Sequence, residues 1–256
     1  MSASEVLVTG GTGMLGQRVV ERLGFAGVEA RVLSRSGRPG TIRGDLSTGE
    51  GLDLAVRGAQ TIIHCASSPF RKARQTDVDG TKRLLDFAEQ AGVSHIVYIS
   101  IVGIDGALFY PYYRIKLDTE RVIEGFPVPY TILRATQFYD LILMAIRFLE
   151  QLPVMVVPNG FSGQPIDAGE VAGRMVDLAL SDPAGRVPDI GGPEVRTAAD
   201  IVRSYFEVTR RRKRTLAFRL PGKTARAFRE GALTCPNNRY GEIRWEEILR
   251  GSVRAG

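Results

Sequence analysis

The stretch VTGGTGMLGQ (Val8–Gln17) decides the fold of this chain. A short β-branched run, EVLVT (Glu5–Thr9), leads into it, and a segment with Leu15, Val19, Val20 and Leu23 at helical spacing leads out. Its glycines overlap two patterns: GxxGxxG through Gly10, Gly13 and Gly16, and GxGxxG through Gly11, Gly13 and Gly16. Glycine permits a sharp turn, lets the backbone approach a pyrophosphate, and lets the helix pack close on the strand. The free N–H groups at the helix start then face an anion. Alone, such a pattern also fits a structural turn. A strand before it and a helix after it make it a dinucleotide-binding turn.

Working outward, strand and helix patterns alternate. EARVLS (Glu29–Ser34) and AQTIIHCA (Ala59–Ala66) read as the second and third strands. DVDGTKRLLDFAEQAG sets Val78, Leu84, Leu85 and Ala88 on one helical face and stops at Gly92, a good C-cap. SHIVYIS (Ser94–Ser100) is a fourth strand and PVPYTILRA (Pro127–Ala135) a fifth. This alternation predicts an α/β fold, a Rossmann-type doubly wound parallel sheet with helices on both faces. Ligands of such sheets bind beyond the carboxyl ends of the strands. The loops after Thr9, Ser34, Ala66, Ser100 and Arg134 are therefore expected on one rim. Beyond Leu152, short strands and helices separated by Pro/Gly turns suggest a smaller C-terminal substrate lobe. Residues 1–152 are expected to form the dinucleotide-binding core and 153–256 the substrate-covering lobe, partly interwoven with it.

At 256 residues the chain is long enough for a full core. Its 44% hydrophobic and 24% charged residues place it among ordinary globular proteins. No run of about 18 uncharged apolar residues could span a bilayer, so no membrane association is expected. The opening MSASEVLVTGG lacks the basic and apolar regions of a signal peptide. Cys65 and Cys235 form neither a CxxC nor a paired framework, and together these features point to a reducing cytoplasm. His64 and His95 each border an apolar run and read as structural, with no metal expected. The net charge of +6 includes the cluster TRRRKRTLAFR (Thr209–Arg219). It closes the helical segment AADIVRSYFEVT, where cations favour the negative end of the helix dipole. Without interleaved stacking aromatics it carries no expectation of nucleic acid. The expected partner is a small-molecule substrate, and oligomeric state is open.

The end of the second strand separates the two nicotinamide dinucleotides. NAD sites place an acidic residue there to bind the ribose 2′-hydroxyl. LSRSGRPG instead offers Ser34, Arg35, Ser36 and Arg38. An arginine fork suits a dianionic 2′-phosphate better than a neutral diol, so NADP(H) is expected over NAD. In GDLST, Asp45 is placed to accept from an adenine amino group with Leu46 against the ring; a helix cap is the other reading of that aspartate. HCASSP (His64–Pro69) leaves the third strand with the small residues Cys65, Ala66 and Ser67, which let backbone lie against the cofactor.

In PYYRIKLDTERV (Pro111–Val122), Tyr112 and Lys116 are four apart, on one helical face, whereas Tyr110 and Tyr113 have Arg114 and Leu117 at that distance. Tyr113, three residues before Lys116, stays open as an alternative, although its ring suits the substrate wall or core. Hydride transfer to a carbonyl leaves an alkoxide that needs a positioned acid. Free tyrosine ionises near ~10, and a nearby ammonium favours the phenolate. Lys116 is thus placed both to hold the nicotinamide ribose and to tune Tyr112. Ser100, at the carboxyl end of the fourth strand, is placed to hold the substrate oxygen. A YxxxK pair also arises by chance in amphipathic helices. Its weight comes from the order of glycine turn, basic second strand, serine-ended fourth strand and YxxxK.

With these stations in place, the chain resembles the atypical, NmrA-like branch of the short-chain dehydrogenase/reductase superfamily. The resemblance runs over essentially the whole chain. It is carried by VTGGTGMLG, LSRSGRPG, YISIVGID, YYRIKLDTERVIEG, PYTILRATQFYD and PIDAGEVA. It implies NADP(H) on Gly10, Thr12, Gly13, Met14, Leu15, Ser34 and Arg35, and a catalytic set of Ser100, Tyr112 and Lys116. It further implies that RATQF (Arg134–Phe138), with Ala135 and Gln137, runs past the nicotinamide, and that Phe138 lies over the substrate. The third-strand exit departs from the pattern: many relatives carry an asparagine or an Ala-Gly pair where this chain reads HCASS. Members of the branch are reductases or dinucleotide-binding redox sensors without turnover. The retained tyrosine and lysine favour an NADPH-dependent oxidoreductase acting on a small carbonyl, quinone or similar electrophile, with the non-catalytic sensor as the alternative. Phe138, Tyr139, Met144, Phe148, Met155 and Phe161 are candidates for pocket lining, with the core as their other destination.

Overall fold

β-branched runs separated by amphipathic helices need apolar cover on both faces, and here they find it in a single sheet. The computed structural model describes residues 6–69, 72–108, 110–219 and 221–254. In chain order the strands are β1 (Val6–Thr9), β2 (Ala30–Ser34), β3 (Ile42–Arg43), β4 (Thr61–His64), β5 (His95–Ile101), β6 (Tyr130–Ala135), β7 (Met155–Pro158), β8 (Ser162–Gly163), β9 (Gly185–Arg186), β10 (Arg196–Thr197) and β11 (Thr215–Phe218). The main sheet has the order β3-β2-β1-β4-β5-β6-β9, and its pairings are parallel. β1 and β4 are buried along their whole length. Glu5, expected to open the first strand, lies outside the described residues.

The chain divides into two compact units. The first takes residues up to Ser100, Pro111–Arg134 and Gly169–Pro188; the second takes Ile101–Tyr110, Ala135–Ala168 and the chain from Asp189 onward. The units are thus interleaved, and segments 135–152 and 169–188 fall on opposite sides from a single cut at residue 152. In the first unit, the helices include α1 (Met14–Phe25), α2 (Leu52–Val56), α3 (Gly80–Gln90) and α4 (Pro111–Glu124). Its core gathers Leu7, Leu33 and Ile62 from the strands, Leu84 and Leu85 from α3, and Ile123 from α4. A π-helical turn, Arg74–Asp79, leads into α3. α4 is fastened to β6 by a buried bidentate pair: Arg134 Nε and Nη2 donate to Glu120 Oε1 at 2.8 Å and Oε2 at 2.5 Å. A second pair, Arg74 to Asp118 at 2.8 Å, ties α4 to the π turn.

In the second unit, α5 (Tyr139–Glu150) precedes β7. After α6 (Ala168–Ala179), most of which belongs to the first unit, the second unit continues with α7 (Ala198–Thr209), α8 (Lys223–Arg229) and α9 (Trp245–Arg254). Tyr139, Leu143, Ile146, Met155, Trp245 and Leu249 share its core. Tyr139 stacks on Trp245 with ring centroids 5.5 Å apart, and each ring's polar group is satisfied by a backbone carbonyl, of Ile243 and Ile201 respectively. β7 and β11 form a parallel two-stranded sheet. Among the described residues, no helix is long and apolar enough to cross a membrane.

Candidate functional site

β1 ends in the glycine turn, and β4 runs beside it in register, Thr9 against His64. In this strand order the crevice beyond β1 and β4 is where the connections part to opposite faces. Gly10 adopts φ +68°, and a Cβ on it would stand 2.6 Å from the Ala66 amide nitrogen. Any side chain there would fill the crevice. A Cβ on Gly16 would collide with the Gly10 carbonyl, so glycine is what lets α1 start this close to the turn. α1 opens after Gly13 with no side-chain cap, leaving first-turn amides available to an anion.

The resulting groove, of about 200 Å³, is lined by Gly10, Thr12, Gly13, Ser34 and Arg35, and by Asp45, Leu46, Cys65, Ala66 and Ser67. Leu33, Gly44, Ser68 and Thr76 complete it. Met14 and Leu15 form the first turn of α1, with the Leu15 side chain buried. Arg38 is exposed in the turn after β2 and is not among the lining residues, so Arg35 is the cation at the groove. Asp45 serves in two ways: it lines the groove, and its Oδ1 accepts from the Ser47 amide at 2.7 Å. Burial pushes the Cys65 thiol up to about 12, which keeps it protonated.

α4 brings Tyr112 to the groove. Its hydroxyl bonds the hydroxyl of Ser67, a residue of the groove wall. Ser67 Oγ in turn donates to Asp77 Oδ2 at 2.8 Å, so the Tyr112 hydroxyl is the donor in their shared bond. Asp77 also accepts from the Ser68 amide at 2.9 Å, and the Tyr112 hydroxyl lies close to its carboxyl. Burial raises the Asp77 carboxyl above its ordinary value, and the nearby Lys116 charge and these donors only temper the rise. Lys116 is buried. Its Nζ donates to the Ile99 carbonyl at 2.8 Å and stands 4.1 Å from the centroid of the Tyr98 ring. Burial brings Lys116 down from 10.5 to about 8, against the opposing pull of Asp77 and Glu120. Ser100 Oγ, near the end of β5, is buried without a hydrogen-bond partner among the described residues.

Asp77 is held in place by a chain of hydrogen bonds that starts at the glycine turn. Thr81 Oγ1 donates to the Asp77 carbonyl, so it must accept from His64 Nε2 at 2.9 Å. The imidazole therefore carries its proton on Nε2, and Thr9 Oγ1 donates to Nδ1 at 2.6 Å. The Ala66 amide closes the chain onto Thr9 Oγ1 at 3.4 Å. His95 is likewise bonded to Thr131 Oγ1, at 2.8 Å.

A family profile described as NAD(P)H-binding matches residues 10–181, well over half of the chain. The chain belongs to the NAD(P)H-binding family. The groove fits that membership, with its crowded glycines, uncapped helix start and Arg35. Among relatives, Photosystem II assembly factor Ycf39 of Trieres chinensis is 28% identical over 212 residues, which span 77% of this chain and 66% of that protein. This NAD(P)H-binding chain thus spans slightly under two thirds of that relative's length. Two solved structures share the fold. The NADPH-dependent quinone oxidoreductase of Escherichia coli, complexed with NADPH, has a TM-score of 0.79 at 16% identity, covering 96% of this chain and 99% of that one. A short-chain dehydrogenase/reductase superfamily protein of Agrobacterium tumefaciens with bound NAD has a TM-score of 0.76 at 20% identity, covering 98% and 96%.

The remaining expected residues of this NAD(P)H-binding protein do not line that groove. Tyr113 is half-buried on α4. Ala135, Gln137 and Phe138 belong to the second unit. There Gln137 Nε2 donates to the Leu233 carbonyl at 2.9 Å, and Phe138 precedes α5 in extended conformation. Of the candidate pocket residues, Tyr139 and Met155 are core, while Met144 and Phe148 are 53% and 65% exposed. Sequence reasoning missed Asp77 and took His64 only as a structural residue, without the relay it forms. The available signal was a carboxylate four residues before Thr81, the spacing that stacks two side chains on one helical face.

Proposed function

We propose that this NAD(P)H-binding protein is an NADPH-dependent reductase of a small carbonyl, quinone or similar electrophile, with Tyr112 as its proton donor. One observation carries the proposal: the hydrogen bond from Tyr112 to Ser67 joins the phenol on α4 to the wall of the dinucleotide groove. A bound reduced nicotinamide supplies the hydride. The chain's own residues handle the proton and the substrate oxygen. Tyr112 donates to the developing oxyanion. Ser100 is the neutral donor assigned to the same oxygen, since a buried hydroxyl without a partner costs about 1–3 kcal/mol until a ligand takes it. Lys116 offsets the Asp77 charge and is assigned to the nicotinamide ribose. Tyr113 is assigned to the substrate wall, and Arg35 to the 2′-phosphate that separates NADP(H) from NAD.

Asp77 acts as a positioning residue: its carboxylate accepts from Ser67, which in turn holds the Tyr112 hydroxyl beside the groove.

The same site supports a second reading, a dinucleotide-binding regulator without turnover: the Tyr112 hydroxyl is already engaged by Ser67, and one relative is named an assembly factor. NADPH consumption over a panel of quinones and carbonyls separates the two. The reductase predicts turnover that Tyr112→Phe lowers by about 10²–10⁴ while NADPH affinity is retained. Absence of turnover in the natural chain, with NADPH and NADP+ bound at different affinities, would sink the reductase and leave the regulator.

A further inference from the structure

The basic run after α7 is left unused by everything above, and the fold gives it a definite setting. Arg210 to Arg214 connect α7 to β11, and the connection borders a cavity of about 650 Å³ in the second unit. That volume lies within the range of small-molecule sites, about 300–1,000 Å³. Its floor is mainly apolar, with Val157 from β7, Val202 and Phe206 from α7, and Ala217 from β11 beside the uncharged Asn159 and Thr215. Its rim carries Arg203, Arg210, Arg211, Arg212 and Lys213 against a single carboxylate, Glu207.

A helix end attracts cations, but that does not account for this rim. The terminal carbonyls of α7 are already capped by backbone, the Arg210 amide on Glu207 at 3.3 Å and the Arg211 amide on Phe206 at 3.2 Å. Nor does pairing consume the charge. Arg203 is bonded to Asp200 and Arg211 to Glu150, which leaves Arg210, Arg212 and Lys213 with no acidic partner among the described residues. Arg210 also occupies left-handed backbone, φ +54°, where glycine is the favoured residue. Like charges crowded at one mouth over an apolar floor lower the free energy of one class of ligand.

We propose that this cavity binds a small amphipathic anion, an apolar body carrying a carboxylate or phosphate head, with the head at Arg210, Arg212 and Lys213 and the body on Val157, Val202, Phe206 and Ala217. The proposal stands on the second unit alone and is independent of the reductase reading.

Fluorescence titration of the full chain with 11-(dansylamino)undecanoic acid tests it. Saturable binding is expected, weakened by about tenfold or more in the methyl ester, which lacks the charge. The double variant Arg210→Glu/Arg212→Glu should lose affinity to a similar degree, and Ala217→Trp should lose it by filling the floor with the rim intact. An unchanged far-ultraviolet circular dichroism spectrum and Tm in all variants reports that they are folded. Co-sedimentation with phosphatidylglycerol vesicles distinguishes a lipid headgroup from a free anion. Absence of probe binding, equal affinity for acid and ester, or unchanged affinity in both variants would overturn the proposal. Vesicle binding without binding of the monomeric probe would also overturn it, making the run a surface patch.

Discussion

The dinucleotide groove and the Tyr112 cluster lie in one unit and touch through Ser67, yet they are built on different principles. The groove is mostly backbone: a turn whose glycines admit a close approach, and helix amides left without a side-chain cap. The cluster is mostly side chain, drawn from the β4 exit, the π turn, β5, α4 and β6, and it buries Asp77, Lys116, Glu120 and Arg134. Holding a phosphate needs little more than a short local segment. Setting a proton in place requires charges taken out of water, and each of them must be fastened by a partner distant in sequence. The first kind of site should survive damage to distant residues, and the second should not.

The largest expected effect tests that contrast directly. Glu120→Gln leaves Arg134 buried beside a neutral partner. It should cost about 3–5 kcal/mol, lowering Tm by roughly 10 °C at this chain length, as read by calorimetry. An unmoved Tm would mean that α4 is held by other contacts. The acid limb comes next. Burial lowers His64 from 6.5 to about 3, so between those values the unfolded chain binds a proton that the folded imidazole refuses. Stability should fall as pH is lowered through that window, by about 1.4 kcal/mol per unit, and this group contributes no pH dependence above it. Urea unfolding at a series of pH values checks this, and His64→Gln should flatten the slope.

Two smaller effects sharpen the comparison. Asp77→Asn removes the charged acceptor at the end of the Tyr112–Ser67 connection. NADPH turnover should fall by about tenfold, or 1.4 kcal/mol, with NADPH affinity retained, as read by steady-state rates and a binding titration. Unchanged turnover would remove the positioning role of Asp77. Arg35→Ala, on the groove side, should cost NADPH about tenfold in affinity relative to NADH with no change in Tm, since it deletes a charge-assisted bond at an exposed position. Equal losses for both dinucleotides would remove the 2′-phosphate assignment.

The same division explains what was legible in the sequence. The sheet and the glycine turn follow from β-branched runs, helical spacing and glycine positions, all of which are local. β3 was missed because two residues carry no periodicity; it exists only through the pairing of Leu33 with Ile42 and Ser34 with Arg43. Arg35 and Arg38 looked equivalent in LSRSGRPG, and the path of the turn is what places one at the groove and leaves the other in solvent. Asp77 reads in sequence as an acidic residue near a helix start, where it would favour the dipole from the surface. Only the closing of β4, α4 and the π turn on one another makes it a buried acceptor. Lys116 was legible as a partner of Tyr112 by spacing, but its bond to Ile99 and its place over Tyr98 depend on how α4 meets β5.

The π turn from Arg74 to Asp79 holds one residue more than an α-helical path of the same rise would need. Losing that residue would let an ordinary α-helical path bridge the same span, with the flanking segments still in phase. Thr81, Leu84 and Leu85 are pinned in the interior and would stay put, so the change would fall on the stretch that carries the acid. A single-codon deletion could therefore switch the chemistry of the pocket while the nucleotide anchor beyond β1 stayed intact.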